Sequence, residues 1–206
     1  MKVGSIRFSG KEMQDLAVAW LALGFAFAVL FGGRQAILRD PEILAIVLPL
    51  SMITAGLGFL LHELAHKVTA IRFGQIAEFR ADYGMLFLAV MSALAGFLFA
   101  APGAVYHQGR ATLRENGLIA LAGPLTNVAL GMIFLPVLWI SSGSAGLIEQ
   151  AANYGVRINF LLAGFNMIPF GPLDGNTVKE WSVPAFAGFG LPCFALAAWA
   201  LVGFSF

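Results

Sequence analysis

The sequence predicts an all-α polytopic membrane protein with about five full transmembrane helices and one re-entrant element after the second of them. Two observations predict the class. Of 206 residues, 59% are hydrophobic and 11% charged, whereas soluble domains carry about 25% charged residues. The apolar residues are also gathered into runs of membrane length, divided by short polar stretches. A third observation, ionisable side chains in separate runs that must share one depth, sets the number of spans. The net charge of +1 offers no basic excess for nucleic acid and no acidic tail. The single cysteine, Cys193, sits in an apolar run, which excludes a disulfide framework or a cysteine metal site and reads as a core or lipid-facing residue. With no tandem repeat and no room for a soluble domain beside the spans, residues 1–206 read as one membrane-embedded domain.

Taken in order, the head carries Lys2, Arg7 and Lys11, and Ser9 with Glu12 has capping-box spacing, so a helix starts near Gly10. Leu16 to Gly33 is the first span. It lacks a small-residue cleavage motif and is read as retained, and its basic head predicts a cytoplasmic N-terminus in the cell membrane. Arg34 to Glu42 is a polar loop in which Pro41 is placed to open the second span, about Ile43 to Lys67. Ala81 to Tyr106 is apolar but interrupted by Gly84, Gly96, Pro102 and Gly103, and helix and β-hairpin both remain open for it. Glu115 to Ile140 is a span containing Ala-Gly-Pro-Leu-Thr-Asn at 122–127. There Gly123 permits close helix approach, and Asn127 must find a polar partner, most simply across a helix interface. A Gly/Ser-rich loop follows, then a span from about Ala152 to Phe170, and finally Val183 to Phe206.

The chemistry lies in Leu-His-Glu-Leu-Ala-His-Lys, Leu61 to Lys67. On a helix His62 and His66 are one turn apart on one face, with Glu63 beside them, the spacing of a zinc hydrolase. Two imidazoles and one carboxylate leave a fourth position of Zn2+ open to water, whose pKa falls towards about 7, and Glu63 can take the proton. These groups lie in a membrane-length apolar segment, where ionisable residues are expensive and functional by default. The third ligand expected is Asp174, in the stretch Asn166 to Gly175, where Pro169, Pro172, Gly171 and Gly175 break the helix and bend the acid inward. A surface Asp-Gly turn is the bland alternative. His107 reads as an interfacial side chain, the substitute ligand should Asp174 fail.

One zinc ion cannot be reached from both faces of a hydrocarbon core about 30 Å thick. His62 lies roughly 20 residues, about 29 Å, beyond Ile43 and so towards the cytoplasmic side. Asp174 joins it there only if Ala81 to Tyr106 returns without crossing. The charges agree: a return leaves only Arg34 and Arg39 outside, whereas a crossing also exports Arg110, Arg114 and Lys179.

HELAH, AGPLTN and NMIPFGPLDG, in that order between about Ile43 and Gly175, resemble the site-2 protease family of intramembrane zinc metalloproteases. The resemblance implies a catalytic core over about 43–175 and one Zn2+ per chain held by His62, His66 and Asp174, with Glu63 as catalytic base. It implies hydrolysis of a peptide bond in or near a transmembrane segment of a membrane-protein substrate. It also puts Asn127 and Asn166 near the site, holding substrate or steadying the oxyanion. The competing class is a metal-ion transporter using the same residues. The clustering of the ionisable groups at one depth, with no second site along a path, opposes it. Substrate identity, cleavage position, gating and oligomeric state are not encoded legibly.

Overall fold

The computed structural model describes residues 2–3, 6–97 and 102–202, so 98–101 of the expected re-entrant stretch and 203–206 of the expected last span lie outside the described residues. The protein is an all-α polytopic membrane protein. Among the described residues four helices are long and apolar enough to cross a bilayer, namely Gly10–Gly32, Glu42–Arg72, Leu113–Ser141 and Val183–Val202. The chain divides into two compact units, Met1–Leu60 with Glu78–Tyr106, and Leu61–Ala77 with His107–Phe206.

In the first unit, β1 (Lys2–Val3) pairs antiparallel with β2 (Ile6–Arg7) ahead of α1 (Gly10–Gly32). The Ser9 hydroxyl caps α1 by accepting from the Glu12 amide at 3.1 Å. The reciprocal half of the predicted capping box is replaced by a long-range bond, in which the Phe79 amide donates to Glu12 Oε1 at 3.0 Å. Residues expected as a loop form α2 (Arg34–Arg39), and Pro41 precedes α3 (Glu42–Ser51). Helix α3 continues through a π turn, Met52–Gly56, into α4 (Leu57–Arg72). The π turn follows Pro49, whose missing amide breaks the regular ladder. Trp20 accommodates it by donating its indole N–H to the Met52 carbonyl at 3.0 Å and packing where a side chain on Gly56 would stand.

The stretch 81–106 is neither purely helix nor purely hairpin. It contains the end of β3 (Ile76–Ala81), then α5 (Tyr83–Leu94), then most of β4 (Gly103–Gln108), and β3 pairs with β4. Asp82 caps α5 through the Met85 amide at 2.9 Å, and its own amide donates to the Pro102 carbonyl at 3.0 Å, so the segment returns to where it left. Twelve residues of α5 span about 18 Å, short of the hydrocarbon core. The core of this unit joins α1 residues Ala19 and Leu23 to Phe59, Phe79, Leu86 and Ala89.

In the second unit α6 (Leu113–Ser141) opens on a complete capping box, Thr112 with Glu115. It packs on α7 (Leu147–Asn166), and close approach is set by glycines: a side chain at Gly131 would strike the Phe160 ring, and one at Gly155 the Phe134 ring. Helix α7 stands where the fourth span is expected, ending four residues short of the predicted Phe170, and is not among the helices apolar enough to cross. At 20 residues it measures about 30 Å, but its buried Arg157 and Asn159 lower its apolarity, which fits a helix whose polar groups face protein. The Pro/Gly-broken turn leads to α8 (Asp174–Trp181) and then α9 (Val183–Val202). Buried Cys193 packs with Ala120, Leu121, Ala163, Met167 and Val178, in the core rather than facing lipid, the two placements its apolar surroundings left open.

Candidate metal centre

Helical periodicity puts His62 and His66 on one face of α4, where both are buried with ring centroids 4.6 Å apart. Each ring is fixed from behind. His62 Nδ1 donates to Asn127 Oδ1 at 2.6 Å, and His66 Nδ1 donates to the Ile119 carbonyl at 2.7 Å, both partners lying on α6. A carbonyl oxygen only accepts, so the proton of each neutral imidazole is on Nδ1 and each Nε2 presents a lone pair. Those two nitrogens face each other at 2.9 Å.

Asp174, the first residue of α8, completes the cluster with Oδ2 at 3.3 Å from His62 Nε2 and 3.4 Å from His66 Nε2. Its position depends on Gly175, where a Cβ would collide with the Met167 carbonyl. Asp174 Oδ2 is buried without a hydrogen-bond partner, as is Glu63 Oε2. Three groups that each offer an electron pair when unprotonated thus converge, their ligand atoms all within 4.8 Å of one another. Alone they repel; around a cation they attract. Two imidazoles and a carboxylate are the donor set of a catalytic zinc site with one position open.

Gly123 supplies the space. A Cβ there would run into Nε2 of both histidines, so the close approach inferred from sequence serves the imidazoles as well as the helix pair. Glu63 is buried next to His62 on α4. Of the two asparagines, Asn127 lies against His62, whereas Asn166 donates its amide to the Leu162 carbonyl at 2.9 Å, one turn back in its own helix. His107 is on β4 and outside the His62–His66–Asp174 group, and burial lowers its pKa. The residue missed by sequence reasoning is Asn159, fully buried on α7, whose Oδ1 accepts from Asn127 Nδ2 at 2.9 Å. The signal was an amide inside an apolar helix, the same one that Asn127 gives, but it lies outside the recognised motifs.

Among known proteins the chain is similar to Putative zinc metalloprotease MJ0611 of Methanocaldococcus jannaschii, 40% identical over 188 residues that cover 90% of this chain and 92% of that one. It is also similar to Putative zinc metalloprotease YwhC of Bacillus subtilis, 32% identical over 158 residues, 67% of this chain and 71% of the relative. No family model matches the chain. No solved structure matches it.

Proposed function

This chain belongs to a family of zinc metalloproteases, and from that premise we propose that it is a site-2-protease-like endopeptidase that cuts membrane-protein substrates in or near their transmembrane segments. The observation that carries the reading is the convergence of His62 Nε2, His66 Nε2 and Asp174 Oδ2 inside a protein of membrane-spanning helices.

Zinc is the cofactor, and His62, His66 and Asp174 would hold it, where it would supply the Lewis acidity that activates a water and polarises the scissile carbonyl. Glu63, buried and without a partner for Oε2, takes the water's proton and delivers it to the leaving amine. Asn127 acts on His62, the contact it makes, rather than on substrate. Asn166, at the end of α7, remains the candidate to hold substrate or steady the oxyanion. A substrate helix has to unwind before it is cut, because its peptide bonds are hidden by their own hydrogen bonds.

We take residues 1–206 as one domain in the cell membrane, with a catalytic core at about 43–175 and the N-terminus in the cytoplasm. Helix α7 counts as a fifth span and 81–106 as re-entrant. The short α5 and the Asp82–Pro102 bond support the return. The test is cleavage of a co-reconstituted membrane protein in proteoliposomes. Cleavage that requires zinc and is lost in Glu63→Gln supports the proposal; zinc uptake without cleavage overturns it.

A further inference from the structure

We propose that Asn159 is a positioning residue for the metal site, fixing the tautomer of His62 from two hydrogen bonds away. This rests on the reading of His62 as a zinc ligand.

The chain of bonds has one consistent direction, and a peptide carbonyl anchors it. Asn159 Nδ2 donates to the Gly155 carbonyl at 2.8 Å, one turn back in α7. That carbonyl can only accept, so it forces the Asn159 amide to turn its Oδ1 towards α6. There Oδ1 accepts from Asn127 Nδ2 at 2.9 Å, which in turn directs Asn127 Oδ1 to His62 Nδ1 at 2.6 Å. An oxygen against Nδ1 holds the ring proton there and leaves Nε2 bare for the metal. Were Asn127 to flip, its NH2 would face Nδ1, the proton would move to Nε2, and His62 could no longer ligate. Asn159 opposes that flip at Nδ2, and both asparagines are fully buried, so no bulk water substitutes for it. His66 needs no such relay, because its Nδ1 meets the Ile119 backbone carbonyl directly. The two ligands on α4 are therefore oriented by different means, and only that of His62 can be switched by a side-chain substitution.

The experiment uses the full chain in detergent, with zinc itself as the probe in a chelator competition, and 15N spectra of histidine-labelled metal-free protein to read the tautomers. Asn159→Ala is expected to weaken zinc binding by about 10- to 100-fold, the usual effect of losing an outer-shell partner. It is also expected to convert part of the His62 signal from the Nδ1–H to the Nε2–H form while that of His66 stays. Asn159→Asp, protonated in this buried position on the oxygen that meets the Gly155 carbonyl, keeps its other oxygen facing Asn127 and is expected to restore most of the affinity. Asn159→Ser is made alongside in case the alanine variant does not fold, and the same weakening and tautomer change are expected of it. Wild-type affinity and an unchanged His62 tautomer in a folded Ala or Ser variant overturn the inference. If instead His62→Ala binds zinc like wild type, it is the assignment of the site that fails.

Discussion

At the residue scale the site is a problem of lone pairs. His62 and His66 turn Nδ1 to oxygens, so Nε2 of each faces Asp174 Oδ2, and the three would hold a cation between them. His62→Ala and Asp174→Ala are each expected to lower zinc from one per chain to a small fraction, read by metal analysis of purified protein. Gly123→Ala is the more discriminating change, because it alters no ligand. Its methyl group overlaps both Nε2 atoms, and zinc should be lost from a protein that otherwise folds. Glu63→Gln should behave oppositely, keeping zinc while the cleavage rate falls by at least about 100-fold, the lower range for removal of a general base. Full zinc in Gly123→Ala, or cleavage in Glu63→Gln, contradicts these roles.

At the element scale the start of α1 holds the β3–α5 segment in place. Glu12 accepts from the Phe79 amide, and the Tyr83 hydroxyl donates to Asp15 Oδ1 at 2.6 Å, an oxygen that also meets Lys11 Nζ at 2.7 Å. Both carboxylates are fully buried, so a lost donor is not replaced by water. Tyr83→Phe is expected to destabilise the protein by about 1–3 kcal/mol, seen as a lower unfolding temperature in detergent, with zinc still at one per chain. An unchanged unfolding temperature would show that the bond contributes nothing. The α6–α7 contact makes a parallel case. Gly131→Leu thrusts a side chain into the Phe160 ring and should cost at least about 1–3 kcal/mol by the same measurement.

At the scale of the whole molecule, metal and topology are linked to stability and labelling. A ligand that binds only the folded chain stabilises it, so chelation of zinc is expected to lower the unfolding temperature of wild type and not that of His62→Ala. The proposed return of 81–106 predicts that cysteines at Arg72 and Arg110 react with an impermeant reagent from one side of the membrane and a cysteine at Ser144 from the other. The native thiol, Cys193, is buried, and Cys193→Ala is the background for this test. Labelling of positions 72 and 110 from opposite sides would mean that the segment crosses.

What the sequence determined by itself was what depends on local pattern. The apolar runs located the long helices to within about five residues, but not the short α2 and α8. Ser9 and Glu12 located the start of α1, and the spacing of His62 and His66 put two imidazoles on one face. Helical period and burial of apolar surface are properties of neighbours in the chain, so a linear reading captures them. The mixed strand and helix character of 81–106, the π turn after Pro49, the collision that keeps residue 123 a glycine, and the relay from Asn159 to His62 were decided only in three dimensions. Each depends on a partner far away in sequence, such as Trp20 for the π turn or Asn127 for Asn159. No periodicity announces which distant atom will satisfy a given polar group; that is fixed when the helices pack.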